Sequence, residues 1–160
     1  MALLIASSCL YEVPPIFQNI LIVCIGNICR SPSAEKILQA KSPRLNISSA
    51  GIKALVGKPI DKNAAYELDS HGYGFENHSA RQLDDLLVQQ ADLILVMELF
   101  QQQRLMAEFP AASGKVMLLG KWLDNIEIND PYGKSAEAFA LIFKQIETAC
   151  EGWSDKLVGK

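Results

Sequence analysis

The sequence predicts a single-domain α/β fold, a four-stranded parallel sheet flanked by helices in three layers. Three observations point there. Four apolar, β-branched runs alternate with helical patterns, the signature of βαβ units. A chain of 160 residues suits one domain and can bury a sizeable core. The last third carries a long apolar stripe at helical spacing, enough to cover one face of a sheet.

The first strand is read at residues 20–24, from the buried-looking run Ile20-Leu21-Ile22-Val23 into Cys24. A helix follows over 32–40, with Pro32 suited to its first turn. A second strand is expected at 46–49. The next helix is placed at Lys62–Ser70, capped by Asp61 and ended by His71-Gly72. Short helices are expected at 83–89 and at Leu99–Glu108, with strands at 93–97 and 116–119 between and after them. From Ser135 onward Phe139, Ile142, Phe143, Ile146, Ala149, Cys150, Trp153 and Leu157 recur at three- and four-residue steps. Cys150 lies on that stripe and reads as core packing.

Composition excludes several classes. Hydrophobic residues make up 49% and charged residues 21%, as in an ordinary soluble globular protein. A formal net charge of −3 gives no general basic field for nucleic acid or anionic membrane. The four cysteines, Cys9, Cys24, Cys29 and Cys150, form no Cys-x2-Cys pair and have no companion histidines at zinc-ligand spacing. No metal site is expected.

The chemistry is carried by residues 24–31, Cys-Ile-Gly-Asn-Ile-Cys-Arg-Ser. A tight loop between a strand and a helix N-terminus is an anion site, because its N–H groups are free and the helix dipole adds positive charge. Gly26 lets the chain turn and approach a ligand closely. Arg30 supplies a planar fork for two phosphate oxygens. Cys24 stands at the strand end in the same positive field, which should depress its pKa and leave a thiolate. Ligands of such open sheets bind beyond the carboxyl ends of the strands, where Cys24 lies. A thiolate beneath a phosphate cradle is a nucleophile aimed at phosphorus.

Val23-Cys24-Ile25-Gly26-Asn27-Ile28-Cys29-Arg30-Ser31-Pro32 resembles the active-site signature of the low-molecular-weight protein tyrosine phosphatases. Asn129-Asp130-Pro131-Tyr132-Gly133-Lys134-Ser135 resembles that family's Asp-Pro-aromatic general-acid loop. Ser48-Ser49-Ala50-Gly51 and His78-Ser79-Ala80-Arg81-Gln82 match further segments in the same order. The stretch from Trp122 to the last helix looks most like bacterial members that accompany exopolysaccharide-export tyrosine kinases.

The resemblance implies strand order 2-1-3-4 and hydrolysis of protein phosphotyrosine through a cysteinyl phosphate. It implies a phosphotyrosine protein as partner, a bacterial tyrosine autokinase among the candidates. It implies Cys24 as nucleophile, Arg30 and the loop Ile25, Gly26, Asn27, Ile28, Cys29, Arg30 and Ser31 as phosphate cradle, and Asp130 as general acid and then base. No cofactor is implied. Ser31 is expected to hydrogen-bond Cys24 and could also cap the helix. Asn27 tolerates left-handed geometry, and its amide would be tied by Ser49 and His78. Tyr132 and Leu55 would wall the entrance, Gly133 standing where many eukaryotic relatives have a second aromatic. Cys29 would form a protective disulfide with Cys24. Asp92 and Glu98 receive no role in the chemistry.

Residues 1–17 precede what the resemblance explains, so the domain is placed at 18–160. The apolar start lacks a basic flank and is brief for a signal peptide, and Ala6-Ser7-Ser8-Cys9 only faintly suggests a lipoprotein cleavage site. No other segment approaches a membrane span, so no stable membrane insertion is expected. A thiolate enzyme with few cysteines fits a reducing cytoplasm. A thioredoxin-coupled arsenate reductase would need resolving cysteines near residues 82–96, which hold none. An arginine-dephosphorylating relative carries threonine where Ile28 stands. A non-catalytic phosphate-binding or redox-sensing module would have no need of Asp130.

Overall fold

The computed structural model of the chain describes residues 15–159. Readings that fall on residues 1–14, Cys9 among them, lie outside the described residues.

Four parallel strands form the sheet: β1 (Asn19–Cys24), β2 (Asn46–Gly51), β3 (Leu93–Val96) and β4 (Val116–Leu118). Their spatial order is β2-β1-β3-β4, as expected. β1 is central and buried on both faces, which is why it reads as an unbroken apolar run. Its alternate side chains feed two cores. Ile20, Ile22 and Cys24 face the helices α1 (Arg30–Lys41), α2 (Lys62–Ser70) and α5 (Ala136–Leu157). Leu21 and Val23 face α3 (Asp85–Gln90) and α4 (Leu99–Glu108).

The helix ends follow local chemistry. Asp61 caps α2 by accepting from the Asn63 amide at 2.9 Å, and Ser135 caps α5. Phe139, Ile142, Phe143, Ile146, Ala149, Cys150 and Trp153 are all buried, as the stripe requires. Burial pushes the Cys150 thiol pKa up, in keeping with packing.

Several element ends differ from expectation by one or two residues, and two helix starts show why. α1 begins at Arg30, two residues early, because Cys29 takes the N-cap position. α3 begins at Asp85, since Asp84 caps it through the Leu87 amide; Leu83 N donates to the Gly51 carbonyl instead. A 3-10 turn, Pro110–Lys115, leads into β4.

The ladder does not stop where the sheet ends. Cys24 pairs with Gly51, and beyond them Ile52 N donates to Cys24 O, Lys53 N to Ile25 O and Leu55 N to Gly26 O, at 2.9–3.0 Å. Gly51 permits this: a Cβ there would lie 2.5 Å from the Ile25 carbonyl oxygen. The loop after β1 and the segment after β2 are thus laced together at the carboxyl end of the sheet.

Candidate active site

Residues 24–31 wrap the start of α1. Asn27 sits in the left-handed region at φ 59°, which folds the loop into a concave turn. Among the described residues, no group accepts a hydrogen bond from the N–H of any residue between Gly26 and Ser31. A row of unspent amides at a helix N-terminus is an anion nest.

A hydrogen-bond chain fixes that shape. The Arg81 backbone N–H donates to Asn27 Oδ1 at 3.0 Å, which orients the amide. Asn27 Nδ2 then donates to Ser31 Oγ and to Ser49 Oγ, both at 2.9 Å. The Ser49 hydroxyl in turn donates to the Glu35 carboxylate. The Ser31 oxygen is an acceptor to Asn27, so its proton is free for Cys24 Sγ, 2.9 Å away. Ser31 therefore serves the sulfur and does not cap the helix. The His78 expectation needs correction. His78 Nε2 donates to the backbone carbonyl of Asn27 at 2.7 Å, not to its side chain, whose oxygen is already held by Arg81. Arg81 also donates through Nε to the Ser49 carbonyl at 2.8 Å. Its part leaves no pattern in the sequence because it acts through main-chain groups.

Arg30 is 1% exposed. Its Nη1 donates to Glu98 and to the Ile128 carbonyl, the latter at 2.8 Å. Nη2 lies 3.5 Å from Asp130 Oδ2. Glu98 thus belongs to the site, against the sequence expectation. It follows β3, and spacing alone gave no sign that this strand end meets Arg30. Gln101 Oε1 accepts from the Met97 and Glu98 amides and fixes that turn.

Asp130 is half exposed, and its Oδ1 accepts from the Tyr132 amide at 3.1 Å. A cleft of about 180 Å³ opens between these groups, lined by Cys24, Ile25, Gly26, Ile28, Cys29, Arg30, Lys53, Leu55, Asp130 and Tyr132. Leu55 and Tyr132, both exposed, flank it. A roomier groove of about 370 Å³ lies at the opposite ends of β1 and β2, away from every one of these groups.

Cys29 lines the same cleft, and burial, with Asp61 next in importance, pushes its thiol pKa up. Cys24, Cys29 and Cys150 are free thiols here. Among the described residues no three His, Cys, Asp or Glu side chains gather as metal ligands, and no helix is long and apolar enough to cross a membrane.

A parallel α/β sheet with a cysteine and an arginine sharing one amide-lined loop defines a thiol-centred anion site. The family described as low molecular weight phosphotyrosine protein phosphatase matches residues 19–160, and the chain belongs to it. It is 46% identical over 141 residues to the low molecular weight protein-tyrosine-phosphatase Wzb of Escherichia coli K12, covering 88% of this chain and 96% of that one. Identity to the probable phosphatase AmsI of Erwinia amylovora is 42% over 140 residues, with 88% and 97% covered. The structure of Vibrio vulnificus Wzb in complex with benzylphosphonate superposes with a TM-score of 0.86 at 43% identity, covering 88% of this chain and 99% of that one.

Proposed function

We propose that this chain hydrolyses protein phosphotyrosine, and small aryl phosphates with it, through a cysteinyl-phosphate intermediate. The observation that carries the reading is one cleft lined by Cys24, Arg30 and Asp130 beneath the free amides of the loop.

The aryl ring enters between Leu55 and Tyr132, and the phosphate settles in the loop. Cys24 Sγ attacks phosphorus as a thiolate, with the Ser31 hydroxyl donating to it until the S–P bond forms. Arg30 and the amides of residues 25–30 hold the three equatorial oxygens, where charge gathers in the transition state. Glu98 and the Ile128 carbonyl take only Nη1, which leaves the other guanidinium N–H donors for the phosphate oxygens. Asp130, on the open side of the cleft, protonates the departing phenolate oxygen as the P–O bond breaks. It then takes a proton from the water that cleaves the S–P bond, releasing phosphate and restoring Cys24. Positive charge comes from arginine and amides, so the reaction as proposed uses no metal or cofactor.

The likeness to bacterial members extends the proposal to a physiological substrate, a phosphorylated bacterial tyrosine autokinase of polysaccharide export, met in the cytoplasm. The direct test is phosphate release from a phosphotyrosyl peptide, a phosphoseryl peptide and arsenate reduction measured side by side. Fast release from the first alone is expected. Failure to release phosphate from the phosphotyrosyl peptide would sink the reading.

A further inference from the structure

Three charged residues line the cleft: Arg30, Asp130 and Lys53. The first two face one another at 3.5 Å, and Arg30 is further neutralised by Glu98. Lys53 is exposed at the mouth and makes no ion pair with any described residue. In a chain of net charge −3, it is an uncompensated cation on the substrate wall.

Its position is fixed relative to the phosphate. Lys53 N donates to the Ile25 carbonyl at 3.0 Å, so the wall and the cradle share one ladder. On either side, Gln82 Nε2 donates to Ile52 O at 2.7 Å and Gln82 Oε1 accepts from Ala54 N at 3.0 Å. The backbone of residues 52–55 is therefore clamped from both edges. A phosphotyrosine seated in the cleft brings its neighbouring residues across this wall. The ammonium group, on a flexible four-carbon stem, can reach a carboxylate there.

We propose that Lys53 is a specificity-determining residue, selecting phosphotyrosines flanked in sequence by Asp or Glu. The inference rests on the phosphatase reading above and names a preference within it. An exposed ion pair sets the scale, about two- to fivefold in kcat/KM at low ionic strength, and salt should screen it.

The test uses two peptides alike except that phosphotyrosine is flanked by Asp in one and by Asn in the other. The ratio of kcat/KM between them is measured for wild type, Lys53→Gln and Lys53→Glu, each protein serving as its own reference. Wild type should favour the Asp peptide, Lys53→Gln should bring the ratio to about one, and Lys53→Glu should invert it. High salt should flatten the wild-type ratio. A wild-type ratio of one, or a preference that survives in Lys53→Glu, would overturn the inference while leaving the phosphatase reading intact. No turnover of either peptide would overturn both.

Discussion

The Arg30 guanidinium and the Glu98 carboxylate are joined through Nη1, although 68 positions separate them in the chain. Arg30 is buried, and the Ile128 carbonyl is its one other Nη1 acceptor. Glu98 therefore steers the guanidinium and balances its charge.

Glu98→Ala should lower kcat/KM on an aryl phosphate at least tenfold and cost about 1–3 kcal/mol of stability, the scale of a buried donor losing its partner. Kinetics and thermal melting on one preparation check both. Unchanged kcat/KM beside a lowered Tm would reduce Glu98 to a counter-charge.

Cys24→Ser should abolish turnover and leave the fold intact. A serine hydroxyl is not ionised at neutral pH and is a far poorer nucleophile. Residual activity above about a tenth of wild type would remove Cys24 from its proposed role.

Asp130→Asn should lower kcat roughly a hundredfold or more on phosphotyrosine, within the usual range for general acid catalysis. Activated aryl phosphates leave without a proton and should lose much less. Equal losses on both substrates would point to a binding defect instead.

Peroxide should inactivate the enzyme reversibly. Cys24 would give a sulfenic acid, which Cys29, lining the same cleft, would trap as a disulfide that thiol reductant reopens. Cys150 is fully buried behind α1 and should not compete. Cys29→Ser should stay active but suffer permanent loss under the same exposure. Mass analysis of the Cys24 peptide decides the matter, since full recovery of Cys29→Ser would leave Cys29 as packing.

Asp92 sets a pH dependence remote from the cleft. Its Oδ2 accepts from the Asn19 and Gln18 amides, at 2.8 and 2.9 Å, and these bonds hold its carboxyl below the ordinary value of 3.8. A depressed carboxylate stabilises the fold above that ordinary value, and the contribution fades as pH falls through the lowered one. Asp92→Asn should therefore melt earlier than wild type at neutral pH, with the gap closing in strong acid. A gap of constant size across pH would rule out the charge as its source.

Much of this architecture is legible in the residues. β1 announces itself because both faces are buried, and α5 because one face is. Cys24 and Arg30 are readable because each needs a particular neighbour in sequence, a strand end and a helix start; Asp130 is readable only through the family resemblance, since an Asp-Pro pair by itself is a common turn. Glu98 and Arg81 are not readable that way. Each acts on a group brought close only by the sheet, Arg81 through its own backbone N–H and Ser49's carbonyl, and neither leaves a local pattern. The His78 contact to the Asn27 carbonyl is illegible for the same reason: a main-chain acceptor has no sequence signature.

The lacing of residues 52–55 to the phosphate loop runs through main-chain atoms alone. The exposed side chain at 53 can therefore be exchanged without breaking any hydrogen bond that holds the phosphate loop. Recognition and chemistry are separately heritable here. A lineage could retune which proteins it dephosphorylates by substitution at position 53, leaving the hydrogen bonds of the phosphate loop in place.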